Sequence, residues 1–166
     1  MGGRGSTSGA KSLDKSVQRG IIEENSKRMA VDDVHYIGII NLNLFEGITE
    51  KKILTNEVII TDNRIDHIVD RRGREFYDKY HNSFGTILSD PDYIFRDDNP
   101  NTAIVSKRFI EHGKSVNIVL RLAVEGDDPS YKNSILTAIG ENDKRFKQRL
   151  RNNVPVYAKK NIDKPE

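Results

Sequence analysis

Apolar residues in this chain come in short runs whose spacing changes from segment to segment. In TDNRIDHIVDRRGR, Thr61 to Arg74, Ile65, Ile68 and Val69 recur at helical spacing. The pattern predicts an amphipathic helix with Thr61 or Asp62 as N-cap and Gly73 as stop. Arg64, His67 and Arg71, at i, i+3 and i+7, stand together on its other face. Before it, HYIGIINLNLF within Val34 to Phe45 predicts a strand, and NEVIIT, Asn56 to Thr61, a second strand that feeds the helix. Thr49 to Ile53 reads as a helical turn between them.

After Gly73, Phe76, Tyr80, Phe84, Ile87 and Leu88 predict a second helix beside the first, broken at Ser89-Asp90-Pro91. Tyr93 to Phe95 begins an extended segment. Thr102 to Ile110 and Ser115 to Val124 are strands joined by Glu111-His112-Gly113-Lys114, a hairpin signal. In the second of them Val116, Ile118, Leu120, Leu122 and Val124 share one face, and Asn117 and Arg121 the other. Lys132 to Ile139 is a further strand, Glu141 to Arg151 an amphipathic helix with Phe146 and Leu150 at i, i+4, and Pro155 to Ala158 a short final strand.

The expected class is α+β, with helices packed on an antiparallel meander that leaves one sheet face open for a ligand. The expected domain spans residues 32 to 160, between a Gly/Ser-rich and charged tail, 1 to 31, and a polar tail, 161 to 166. A short helix is expected around Ser16 to Met29. No internal repeat is visible.

The 166 residues suit one domain with tails. Hydrophobic residues make up 36% and charged residues 31%, so the core must come from the clustered runs. Net charge is only +2, so any nucleic-acid site depends on local clustering of cations. With no cysteine, a disulfide framework, a zinc-thiolate site and a thiol nucleophile are all excluded. His35, His67, His81 and His112 follow no metal-ligand spacing, and Asp97-Asp98 and Asp127-Asp128 resemble loop carboxylates more than a metal cage. No metal or other cofactor is expected. No apolar run approaches the roughly 18 residues needed to span a bilayer, and no membrane partner is expected.

Four constellations remain as candidate chemistry. Arg64, His67 and Arg71 set a titratable imidazole between two permanent cations, an arrangement suited to holding a phosphate and moving a proton beside it. Arg72 and Arg74 extend that cationic surface. Ser134 and Thr137 offer hydroxyls for phosphate oxygens or a ribose. Their odd separation puts them on opposite faces of a regular strand, so at most one reaches a site unless a bulge intervenes. Lys107 and Arg108 are adjacent in a strand, so one of them points to the open face. The stretch Lys144 to Lys160 has seven cations and no acid, and Lys144, Lys147 and Arg151 share a helix face suited to a phosphate backbone.

Four segments carry a resemblance to a known family: NEVIITDNRIDHIVDRR, SDPDYIFRDDNPNTAIVSKRF, VNIVLRLAVEGDDPSYKNSILTAI and KRFKQRLRNNVPVYAKK. In their order and spacing, over about two thirds of the chain from Leu54 to Lys160, the sequence resembles a phage-associated family of nuclease-fold domains grouped with barnase, EndoU, colicin RNases and RelE toxins. The opening MGGRGSTSG also resembles the start of phage head-region proteins of Gram-positive hosts.

The resemblance implies a metal-independent endoribonuclease, with N-terminal helices packed on a four-stranded antiparallel meander. The family's His-Ile pair falls on His67-Ile68, and its Ser-x-x-Thr on Ser134 and Thr137. Arg72 stands where relatives often carry a second histidine. On this reading His67, Arg64, Arg71, Ser134 and Thr137 are the catalytic candidates, and Arg72, Lys107, Arg121, Lys144, Lys147 and Arg151 hold substrate. The implied partner is RNA, with a phage head or portal protein and an immunity protein as further candidates. The implied location is a bacterial host's cytoplasm or the virion. The competing expectation is an inert nucleic-acid- or protein-binding module in phage assembly.

Overall fold

Thr61 closes a strand and opens a helix in the same step. Its backbone is extended, and its Oγ1 accepts a hydrogen bond from the Arg64 amide at 3.4 Å, capping helix α1, Asp62–Arg72. Gly73, at φ +96°, ends α1 through its N–H to the Val69 carbonyl. Only a residue without Cβ takes that conformation readily, so α2, Arg74–Tyr80, starts in a new direction. A short 3-10 turn leads into α3, Phe84–Ser89, whose Phe84, Ile87 and Leu88 are buried. The sequence predicts one helix here. The chain makes two, and Pro91 stops the second as expected.

The computed structural model describes residues 32–160. The expected tails, 1 to 31 and 161 to 166, and the helix expected around Ser16 to Met29 lie outside the described residues. The unit Val34–Glu166 carries every element named below. Its strands are β1 Val34–Ile39, β2 Glu57–Thr61, β3 Tyr93–Arg96, β4 Thr102–Phe109, β5 Lys114–Arg121, β6 Asn133–Asn142 and β7 Tyr157–Ala158. The last helix, α4, is Asp143–Asn152.

The class is α+β, and the sheet has seven strands in the order β1-β2-β6-β5-β4-β3-β7. All pairs are antiparallel except β2 with β6. Two expectations are corrected here. The sheet is larger than a four-stranded meander, because β1 and β2 extend one edge and β7 the other. Nor are the helices N-terminal to it: α1 to α3 fall between β2 and β3, and α4 follows β6. Within the larger sheet, β3, β4, β5 and β6 do run as a consecutive antiparallel meander. Two local expectations also change. The first strand stops at Ile39 because the Asn41 side chain caps a 3-10 turn over Leu42–Phe45. Thr49 to Ile53 is not helical, and Ile53 bridges to Val124 instead.

One face of the sheet packs on α1 to α3. Val58, Ile60, Val105, Val116, Ile118, Ile135 and Ala138 meet Ile68, Phe84, Ile87 and Leu88 in the main core. The other face is divided. Toward β3 and β4 it is roofed by α4, where Phe146 is buried against Tyr93 and Phe95 and flanked by Ile104 and Leu150. Toward β1, β2 and β6 it is more open, with Val34 and Tyr36 61% and 63% exposed.

The roof is pinned by polar groups. Ser106 Oγ donates to Asn117 Oδ1 at 2.6 Å, and Asn117 Nδ2 donates to Glu141 Oε1 at 2.7 Å. Arg149 of α4 grips both Glu141 oxygens, at 3.1 and 2.7 Å, a bidentate pair. Burial pushes the Glu141 carboxyl upward, but the Arg149 and Asn117 hydrogen bonds hold it below its ordinary value. Asn117, expected on an open face, is buried beneath this helix.

Candidate functional site

His67 stands on α1 among arginines. Its imidazole is held below the ordinary 6.5, first by partial burial and then by the charges of Arg71, Arg64 and Arg72, with Asp70 opposing. The ring is therefore neutral at pH 7 and able to accept a proton. The other three histidines are committed. His35 Nε2 donates to Asp62 Oδ1 at 2.6 Å, and His81 Nδ1 donates to the Tyr77 carbonyl at 2.9 Å while its ring stacks on Tyr77. His112 Nδ1 lies 3.1 Å from the Tyr80 hydroxyl, its ring stacked on Phe109. His67 has no side-chain hydrogen bond among the described residues.

The helix that carries His67 is fastened to β6. Beyond Ser134 the outer edge of β6 is no longer paired with β2, and α1 packs beside it. Arg72 Nε donates to the Ala138 carbonyl at 3.1 Å, satisfying an acceptor on that edge. Arg72 is thus a clasp between the helix and the residue that follows Thr137, with its terminal guanidinium nitrogens left over.

A bulge reorients the two hydroxyls. Val119 pairs with Thr137 and Leu120 with Ile135, so Leu136 is an extra residue in β6. Ser134, opposite Arg121, and Thr137, opposite Val119, therefore share a face, the one divided between α4 and the open half. Thr137 Oγ1 is buried there without a hydrogen-bond partner among the described residues.

Ser134 and Arg121 also line a cavity of about 500 Å³ with Val34, Ile59, Leu122 and Tyr131. Arg121 is committed to Asp127 at 3.3 Å and to the Leu122 carbonyl. Asp127 is held below its usual range, chiefly by the Val124 amide and then by Arg121.

The remaining candidates scatter. Lys107 pairs with Val116 and so points to the helix-packed face, away from Ser134 and Thr137. Its ammonium donates to the Asp90 carbonyl at 2.8 Å and lies 3.4 Å and 3.8 Å from the Asp90 and Asp92 carboxylates. Its neighbour Arg108 faces the other way but lies under α4, 5.8 Å from the centre of the Phe146 ring and 3.4 Å from Asp143. Lys144, Lys147 and Arg151 are exposed on the outer side of α4, opposite Phe146. His67 lines neither the cavity at Arg121 nor a second one at Arg72.

What is brought together is thus an imidazole with three guanidinium groups on α1, and a pair of hydroxyls with Arg121 on the sheet. Arg72 ties the two elements. Lys79 and Lys114, which line the cavity at Arg72, gave no sequence signal beyond their charge. Among the described residues, no group of three or more His, Asp or Glu side chains is arranged to hold a metal ion, and no helix is long and apolar enough to cross a membrane. No protein-family model matches the chain, and comparison with curated proteins and with solved structures gave no match.

Proposed function

We propose that the domain is a metal-independent endoribonuclease of the barnase, EndoU and RelE-like kind, toxin-like and encoded by a phage or prophage. The observation that carries this reading is His67 on α1 beside Arg64, Arg71 and Arg72, held below its ordinary 6.5 and with no side-chain hydrogen bond among the described residues. The antiparallel run β3 to β6 supports it.

His67 takes the proton of a ribose 2′-hydroxyl. The 2′-oxygen attacks the adjacent phosphorus, and the bond from phosphorus to the 5′-oxygen breaks. One product ends in a 2′,3′-cyclic phosphate, and the other in a 5′-hydroxyl that takes its proton from the imidazolium or from water. Arg64 and Arg71 offset the charge that builds on the phosphate oxygens. Lys144, Lys147 and Arg151, exposed on α4, hold the flanking strand.

A second reading, RNA binding without cleavage, is favoured by Arg72. It stands where relatives often carry a second histidine, and its Nε is engaged by Ala138. An arginine remains protonated and supplies no general acid.

Incubating the purified protein with single-stranded RNA in EDTA tests the proposal. Fragments with cyclic phosphate ends are expected, and an all-deoxy strand stays intact because it lacks the attacking hydroxyl. RNA that is bound and left whole replaces cleavage with the binding reading.

A further inference from the structure

We infer that the cavity at the junction of α1 and α2 is a phosphate subsite for single-stranded nucleic acid, lying off the His67 surface. This rests on the RNA reading above. The cavity measures about 580 Å³ and gathers Arg72, Arg74, Lys79 and Lys114 against one lining carboxylate, Glu75. Arg74 is partly neutralised by Asp78 at 3.7 Å. Arg72, Lys79 and Lys114 have no carboxylate partner among the described residues, and both lysines are exposed.

The floor of the cavity is bare backbone. A Cβ on Gly140 would stand 3.1 Å from Phe76 Cε1 and 3.9 Å from Lys114 Cδ. The space between the Phe76 ring and the Lys114 stem is open because residue 140 has no side chain. Arg72 is fixed above it by the bond to Ala138, and Lys79 Nζ sits 5.5 Å from the centre of the Tyr80 ring. Like charges held together without counterions repel one another, and a bound anion relieves this.

The cavity at Arg121 makes the contrast. Its two cations are already neutralised, Arg121 by Asp127 at 3.3 Å and Lys132 by Glu57 at 2.6 Å. Of these two cavities, the one between α1 and α2 alone presents unpaired positive charge. Arg72 belongs both to it and to the cluster around His67, so a strand crossing His67 can place a neighbouring phosphate there.

The test measures binding of a fluorescein-labelled, uncleavable oligodeoxynucleotide by anisotropy over a range of salt. Lys79→Gln with Lys114→Gln is compared with a charge-matched control, Lys51→Gln with Lys52→Gln, two exposed lysines elsewhere on the domain. The cavity pair is expected to weaken binding about ten-fold and to flatten the log K against log salt slope by about 0.7 for each phosphate no longer neutralised. The control is expected to leave both unchanged. Equal effects from the two pairs, no effect from the cavity pair, or no binding by wild type overturns the proposal. Displacement of the probe by millimolar inorganic phosphate at constant ionic strength also overturns it, by assigning the cavity to the free ion. Because the probe cannot be cut, these outcomes are independent of whether the protein cleaves RNA.

Discussion

Ser134 and Thr137 lie on one face of β6 because Leu136, between them, has no partner on β5. Removing Leu136 closes the bulge and leaves the residues on either side facing as before. The deletion is expected to stay folded by circular dichroism and to melt within a few degrees of wild type. Inserting an alanine after Ala138 instead turns Ile139 and Glu141 to the wrong face, and a large loss of Tm is expected.

The Glu141–Arg149 pair fixes α4 over the sheet. Arg149→Ala leaves a carboxylate that is only 8% exposed with Asn117 as its sole remaining partner. Breaking such a pair is expected to cost about 3 kcal/mol in chemical denaturation. Phe146→Ala, which empties the apolar contact beneath the same helix, is expected to cost roughly 3–5 kcal/mol. The pair also has a pH signature. Glu141 titrates lower folded than unfolded, so its contribution is complete above about 4.5 and is lost as pH falls through the lowered folded value. Arg149→Ala should weaken this acid-side loss of stability.

What could be read from sequence here was local. Helix α1 was legible because Ile65, Ile68 and Val69 mark its buried side and Thr61 and Gly73 its ends. The β4–β5 hairpin was legible from Gly113. Long-range register was not. Nothing local indicates that β2 pairs parallel with β6, that Leu136 bulges, or that Asn117 is buried under a helix that begins at Asp143. The adjacent pair Lys107 and Arg108 shows the limit. Alternation says that the two point apart, and only the pairing of Lys107 with Val116 says which way. The grouping of Lys79 and Lys114 at Gly140 likewise needs the packing of α2 on the sheet.

Lys107 is engaged by Asp90 and Asp92 on the helix-packed face. Lys107→Ala is therefore expected to lower stability by roughly 1 kcal/mol, the scale of a partly exposed ion pair. It should have little effect on oligonucleotide affinity, read by the same anisotropy titration. A loss of affinity comparable to that of the cavity lysines would place Lys107 back in the binding surface.

His67 titrates below 6.5 in the folded chain, so the unfolded chain binds its proton more tightly. Its neutral form contributes fully above about pH 6.5, and that contribution is lost as pH falls through the lowered folded value. Arg71→Gln removes the largest charge acting on the ring, and NMR titration of the imidazole should show its value rising part of the way toward 6.5, because burial remains. The acid limb of the cleavage profile should move to higher pH with it.

RNA cleavage of the proposed kind requires the His67 imidazole to move a proton. The direct measurement is the rate of RNA cleavage in EDTA by wild type and by His67→Ala, with both shown to be folded by circular dichroism. A fall of roughly 10²–10⁴-fold is predicted, the range that general base catalysis supplies. Equal rates for the two proteins would contradict the account.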